Sequence, residues 1–290
     1  MVRLEDSLSV KADAPGTLRV MECNQSVIDG KLSVIVPAYN EAAHLSANLD
    51  ETITVLAAMG VDARIIVVDD GSRDRTCEVA NLAAQRHPHI SVVSNPSRQG
   101  KGSALARGAM HAQGDYVAFL DADLELHPSQ LQAFFDVLHA ENADAVIGCK
   151  LHPMSRVAFP PLRRLMSVSY YAVVRALFDL PVRDTQTGLK LFKTAVLRDV
   201  VPKLRVKGFA FDLELLVLAH DMGYKISEAP VEMDFRRIAG RIGIADILHV
   251  LKDTLVTYAR YRLRRRPASR PLPDEVPAVP SGRTTALSGR

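Results

Sequence analysis

Cysteine is scarce in this chain. Cys23, Cys77 and Cys149 are the three in 290 residues, widely spaced and without a C-x-x-C pair. An odd, scattered set of this kind argues against a disulfide framework or a cysteine zinc site and fits a reducing, cytosolic setting. Long apolar runs are missing too. No stretch of about 18 uninterrupted apolar residues occurs, and the first 30 residues lack an apolar core, so neither a spanning helix nor a signal peptide is readable. No G-x-G-x-x-G follows the first strand pattern, which argues against a dinucleotide oxidoreductase. The Walker A order is absent as well, because the second glycine of Gly100-Lys-Gly102 is followed by Ser103. Net charge is only +3, no internal repeat is visible, and nothing points to nucleic acid.

What the chain does have is a regular texture. At 48% apolar residues it can bury a sizeable core. From residue 32 onward, β-branched runs at 32–36, 64–69, 90–93, 116–120 and 145–148 alternate with helical periodicity at about 41–59, 74–86, 102–113 and 128–140. That rhythm predicts an α/β fold with a mostly parallel sheet covered by helices on both faces. Ligands of such sheets bind beyond the carboxyl ends of the strands. Further on, a helix at about 161–179 carries Arg163, Arg164 and Arg175. The run 184–192 reads as loop and short strand, 211–222 as helix and 226–232 as strand. Residues 244–263 form an amphipathic helix with Ile244, Ile247, Leu248, Leu251, Leu255 and Tyr258 on one stripe, followed by arginines through Arg266. The expected organisation is a flexible arm at 1–30, a catalytic domain at 31–243, a basic amphipathic helix at 244–266 with a possible membrane contact, and a disordered tail at 267–290 holding five prolines.

The chemistry gathers at the predicted strand ends. Tyr116-Val-Ala-Phe-Leu-Asp-Ala-Asp-Leu-Glu125 finishes an apolar run in Asp121 and Asp123, with Glu125 next. Hard divalent cations take one or two such carboxylates together with waters and substrate phosphates, so the pattern suits a metal on a nucleoside diphosphate. Asp69 and Asp70, where a strand meets Gly71-Ser72, can accept hydrogen bonds from a base or ribose. Asp74 reads instead as a helix cap. Lys101 and Arg98, in the glycine-bearing turn before a helix, can cradle phosphate at its N-terminus. Asp212 and Glu214 are candidate bases or first-turn helix acids. Arg183, Lys190, Arg236, Arg237 and Arg241 are basic residues able to meet an anion. His127 and Cys149 are assigned no role.

Pro37-Ala-Tyr-Asn-Glu41, Val68-Asp-Asp-Gly-Ser-Arg-Asp-Arg-Thr76, Asn95 with Gly100-Lys-Gly102, Asp121-Ala-Asp123 and Asp184-Thr-Gln-Thr-Gly-Leu-Lys-Leu-Phe192 together resemble glycosyltransferase family 2 in its GT-A fold. Within it they look like the dolichyl- or polyprenyl-phosphate sugar synthases. The resemblance spans about residues 31–262. It implies that Pro37, Tyr39, Asn40, Glu41 and Asp70 hold the nucleoside, with Asp69 beside them. It also implies that Asp121, Ala122 and Asp123, with Glu125, meet the diphosphate and a Mg²⁺ or Mn²⁺ ion. Asp123, Gln186, Lys190, Asp212 and Glu214 become the candidate catalytic residues. Glu125 departs from the mannosyl members, which often show Gln there.

The resemblance further implies inverting transfer of a sugar to a polyprenyl phosphate by a peripheral protein on the cytoplasmic membrane face, with homo-oligomerisation left open. It makes Arg183, Lys190, Arg236, Arg237 and Arg241 candidate partners for the acceptor phosphate. The Gln186 and Lys101 motifs look closer to the branch using UDP-glucose than to that using GDP-mannose. The alternatives are a family 2 enzyme with a hydroxyl acceptor and a nucleotide-sugar-binding protein without turnover.

Overall fold

The computed structural model describes residues 28–157, 161–206, 208, 210–233 and 244–263. Most of the expected arm, the tail, and Arg236, Arg237, Arg241 and Arg264 to Arg266 lie outside these residues. Strands β1 (Lys31–Ala38), β2 (Asp62–Asp69), β3 (Ile90–Ser94) and β4 (Tyr116–Phe119) are parallel, and α1 (Leu45–Ala58), α2 (Thr76–Arg86) and α3 (Lys101–His111) connect them. After α4 (Leu131–Ala140) come β5 (Ala145–Cys149), the short β6 (Arg156–Val157) and α5 (Pro161–Phe178). Then follow β7 (Lys190–Lys193), α6 (Thr194–Val200), α7 (Phe211–Asp221), β8 (Ile226–Pro230), β9 (Glu232–Met233) and α8 (Ile244–Tyr258). The main sheet has the order β3-β2-β1-β4-β7-β5-β8, and β7 alone among these strands runs antiparallel to its neighbours. Strands β6 and β9 pair separately.

The central strands are apolar on both sides because helices cover both faces. Val34, Val36, Ile65 and Val67 point into the layer shared with α1 and α4. Ile35, Ile66, Val68, Val117 and Phe119 point into the layer shared with α3, α5 and α7. This period-2 division is what a doubly covered sheet requires. Ile28 is buried in the first layer, so packing begins inside the segment expected to be a free arm.

Helix α1 starts at Leu45 rather than near 41: Asn40 has a left-handed φ of 56°, and a turn in which the His44 N–H donates to the Glu41 carbonyl at 3.1 Å precedes the helix. Helix α2 starts behind Asp74, whose Oδ1 accepts the Thr76 N–H at 2.9 Å, as a cap does. Helix α6 had no counterpart in the sequence pattern. Its seven residues follow β7 without a break and give too few turns for periodicity to register.

Candidate active site

Strands β1, β2 and β4 deliver their carboxyl ends to one open cleft of about 230 Å³. Pro37, Tyr39, Glu41, Asp70, Arg98, Lys101, Asp121, Ala122 and Asp123 line it. All nine of these were singled out in the sequence, and they meet in one place. Lys101, at the start of α3, sets its ammonium 2.5 Å from Asp121 Oδ1. Burial alone would push the Lys101 ammonium down, but the Asp121, Asp212 and Asp123 carboxylates outweigh it and hold the group above its ordinary value. Burial would likewise raise Asp121, and the charges of Lys101, Lys190 and Lys150 instead hold it below the usual carboxylate range. Asp123 Oδ1 accepts the Glu125 N–H at 3.2 Å, which fixes the turn after the strand.

Three of the predicted nucleoside residues, Asp70, Asp69 and Asn40, also hold the loops around the cleft. Asp70 is buried; its Oδ1 accepts from Asn95 Nδ2 at 2.8 Å and Gln99 N at 2.9 Å, and its Oδ2 accepts from Gly100 N at 2.7 Å. It thereby pins the 95–100 loop that presents Arg98 and Lys101. Arg98 in turn lies over the Tyr39 ring, 4.3 Å from its centroid. Asp69 is buried and accepts the Ser72 N–H at 3.2 Å, and exposed Asn40 accepts the Arg73 N–H at 2.9 Å. Neither Asp69 nor Asn40 lines the cleft. Both shape the turn that contains Gly71, where φ is +68° and a Cβ would stand 2.5 Å from the Ser97 carbonyl carbon.

Behind Asp121 lies a charged floor made by the 184–192 motif. Lys190 is almost fully buried, and its Nζ donates to Asp212 Oδ1 at 2.7 Å and to the Thr187 carbonyl at 2.5 Å. Asp184 accepts from Thr187 Oγ1 at 2.7 Å and lies 3.2 Å from Lys150 Nζ. Lys150 went unnoticed in the sequence, although it stands at the carboxyl end of β5, where the strand-end rule points. Gln186 and Arg183 line a neighbouring small cavity with Lys150, Tyr170 and Tyr171. The guanidinium of Arg183 is paired with Glu228 at 2.8 Å.

Glu214 needs correction. Its carboxylate is fully buried and lines no part of the cleft. Oε2 accepts from Arg205 N at 2.9 Å and Val206 N at 2.7 Å, while Oε1 accepts from the Tyr261 hydroxyl at 2.7 Å and Arg260 Nη1 at 3.3 Å. The scaffold uses all of its acceptor capacity, so it is not available as a base. Helical spacing placed Asp212 and Glu214 in one turn of α7, and two residues apart on a helix point to different sides.

Among the described residues, no group of three or more His, Cys, Asp or Glu side chains converges to hold a cation. Asp121 and Asp123 share the cleft, and Glu125 does not line it. A pair of carboxylates fits a cation that takes its other ligands from a diphosphate and water.

The glycosyl transferase family 2 model matches residues 33–201, and the chain belongs to that family. It is 32% identical over 209 residues to a dolichyl-phosphate beta-glucosyltransferase of Trichomonas vaginalis, covering 68% of this chain and 62% of that one. The chain therefore spans less than two thirds of that relative's length. It is 31% identical over 224 residues to a dolichyl-phosphate beta-glucosyltransferase of Dictyostelium discoideum, covering 72% and 68%. Among solved structures, glucosyl-3-phosphoglycerate synthase from Mycobacterium tuberculosis in complex with Mn²⁺, UDP-glucose and phosphoglyceric acid superposes with a TM-score of 0.60 at 23% identity, over 80% of this chain and 79% of that one. The fold is GT-A.

Proposed function

We propose that this protein is an inverting glycosyltransferase that moves glucose from UDP-glucose to a polyprenyl or dolichyl phosphate. The observation that carries this reading is the cleft in which Tyr39, Lys101, Asp121 and Asp123 meet at the strand ends, backed by the Lys190–Asp212 pair. The names of the sequence relatives support glucose and a lipid phosphate.

Tyr39 offers a ring face to a nucleobase once the Arg98 guanidinium yields it, and Arg98 is then placed to meet phosphate. Asp121 and Asp123 would hold a Mg²⁺ or Mn²⁺ ion, which when bound neutralises negative charge on the departing diphosphate. Lys101 adds a second positive group at the N-terminus of α3, where the helix dipole also favours an anion. Lys190, held by Asp212, keeps a fixed positive charge under Asp121 without leaving the protein interior. These preorganised charges are worth most where the leaving group develops its own. The acceptor attacks C1 of the sugar as the C1–oxygen bond to the diphosphate breaks, and the configuration inverts.

The carboxylates support the proposed phosphate acceptor. An alcohol needs a base, whereas a phosphate monoester is already ionised near neutral pH. Glu214 is consumed by the scaffold and Asp212 is bound to Lys190, which favours an acceptor that arrives ionised. Arg183, and from sequence Arg236, Arg237 and Arg241, are the proposed partners of that phosphate.

A lipid acceptor implies a membrane. No helix among the described residues is long and apolar enough to cross one, so the proposed attachment is peripheral, through α5 and α8. Thr254 and Thr257 on α8 are buried, and Tyr258 packs edge-on against Phe178 of α5 with ring centroids 5.8 Å apart, while Leu251, Leu255 and Val256 face outward. Among the described side chains of α8, two threonines are on the docked side and three aliphatic residues on the outer side. Incubation with a panel of nucleotide sugars, polyprenyl phosphate and Mn²⁺, with lipid-linked product read by mass, tests the proposal. Product is expected from UDP-glucose, and Asp123→Ala should lower kcat by roughly 10²-fold or more. Product from GDP-mannose alone would move the assignment to mannosyl transfer, and turnover by Asp123→Ala near the parent's would remove that residue from the mechanism.

A further inference from the structure

We propose that Gly188 is a positioning residue whose missing side chain leaves the space in which the Asp121 carboxylate stands. A Cβ at residue 188 would overlap Asp121 Oδ2 and lie 2.6 Å from its Cγ. Gly188 is not among the glycines with positive φ, so the backbone conformation does not call for glycine there. The demand is for room.

Neither backbone can retreat to make that room. On one side, the Thr187 hydroxyl donates to Asp184 at 2.7 Å, the Thr187 carbonyl accepts from Lys190 Nζ at 2.5 Å, and the Leu189 carbonyl accepts from Gly148 N at 3.0 Å. On the other, Leu120 N donates to the Ile35 carbonyl at 3.0 Å, and Leu124 N to the Asp121 carbonyl at 3.3 Å. Between two pinned segments, the part that can yield is the Asp121 side chain. Any side chain at 188 swings the carboxylate off its 2.5 Å contact with Lys101 and away from where a cation-bound diphosphate would be received. The glycine of the 184–192 motif thus acts on the reaction through Asp121 without touching substrate. The functional part of this inference rests on the donor reading above; the steric part does not.

A double-mutant cycle separates the two. Thermal unfolding is measured without ligand for the parent, Gly188→Ala, Asp121→Ala and the double variant. Gly188→Ala is expected to lower Tm in the parent and to leave Tm nearly unchanged in the Asp121→Ala background, where the colliding atoms are gone. Equal Tm losses in both backgrounds would overturn the contact. Mn²⁺ is then titrated by calorimetry in the presence of UDP. Changing groups that orient a metal ligand typically costs about 10- to 100-fold in metal affinity, so Gly188→Ala is expected to weaken Mn²⁺ binding by that factor, with no further loss when Asp121 is already alanine.

Gly108→Ala is the packing control: a Cβ there runs into Ile35 in the core, so Tm should fall while Mn²⁺ affinity stays at the parent's value. Parent-like Mn²⁺ affinity in Gly188→Ala, or an equal loss in Gly108→Ala, would overturn the positioning role. Failure of the parent to bind Mn²⁺ with UDP would reject the donor reading and the role built on it, and the ligand-free cycle alone would still decide the contact.

Discussion

Asp121 is the residue around which the cleft's charges are arranged, with Lys101, Lys150 and Lys190 all acting to keep it ionised. The same arrangement recurs one layer deeper. Asp184 is nearly buried, which alone would raise its carboxyl, but the Lys150 charge, the Thr187 hydroxyl and the backbone N–H groups of Gln186 and Lys150 hold it below the ordinary value of 3.8. A carboxyl depressed in the folded state contributes stability above its unfolded value of about 3.9 and loses that contribution as pH falls through the folded value. Asp184→Asn keeps the shape and removes the charge, leaving a largely buried Lys150 without its acid. It should cost about 3 kcal/mol at pH 7, and urea unfolding at pH 7 and pH 2 should show the gap from the parent narrowing in acid. A gap that stays constant would mean that the Asp184 charge is not what stabilises the loop. Asp121, Asp123 and Tyr39 were legible as strand-end residues, and Lys101 as the opening of a helix, in recognisable motifs. The internal hydrogen bonds of Asp70 and Glu214 were not, because an acid that accepts backbone N–H groups from another segment looks in sequence the same as one that meets a ligand.

At the scale of elements, the strand and helix rhythm was readable through β5, since both-face burial writes β-branched runs that helical stretches interrupt. The order of β7 in the sheet was not. A strand of four residues inserted antiparallel between β4 and β5 depends on partners far away in the chain. Nor was the way α8 and the π-helical turn at Ala259–Leu263 are fastened. Their latch is Glu214, which accepts from Tyr261 and Arg260 on that turn and from the backbone at Arg205 and Val206. Burial, then the hydrogen bond and charge of Glu214, push the Tyr261 phenol up to about 12. A raised folded value means that the latch is fully present below the unfolded value of about 10 and is lost as pH climbs through 12. Tyr261→Phe deletes one hydrogen bond to a buried carboxylate, a loss of about 1.5–3 kcal/mol. Limited trypsin digestion should therefore release the C-terminal segment from this variant faster than from the parent, with cleavage at Arg260 or Arg262. Equal rates would show that the helix is held by its Thr254, Thr257 and Tyr258 packing without help from the latch.

For the whole molecule, the distribution of charge and apolar surface bears on how the protein would meet the proposed lipid acceptor. Segments 161–178 and 244–266 together hold nine basic and two acidic residues, a surplus of seven, although the entire chain nets only +3. The same two helices expose Leu165, Val168 and Val173 on α5 and Leu251, Leu255 and Val256 on α8. The sequence stripe of α8 correctly joined Leu251 and Leu255 but also included Tyr258, which turns inward because Phe178 of α5 offers it a ring to pack on. Outward leucines beside arginines suit an anionic bilayer surface, where each basic residue contributes about 1 kcal/mol and each fully buried leucine about 1.5–3 kcal/mol. The electrostatic share should fade as salt shortens the Debye length from about 8 Å at physiological strength to about 3 Å near 1 M, while the apolar share should persist. Two variants divide the shares: Arg262, Arg264, Arg265 and Arg266 all to Gln, which spares the Arg260 latch, and Leu251→Ser with Leu255→Ser. Co-sedimentation with phosphatidylserine-containing liposomes should drop in both, the first becoming less salt-dependent than the parent and the second releasing further at high salt. Binding of both variants at the parent's level would reject these helices as the membrane surface, while leaving the family and the cleft chemistry untouched.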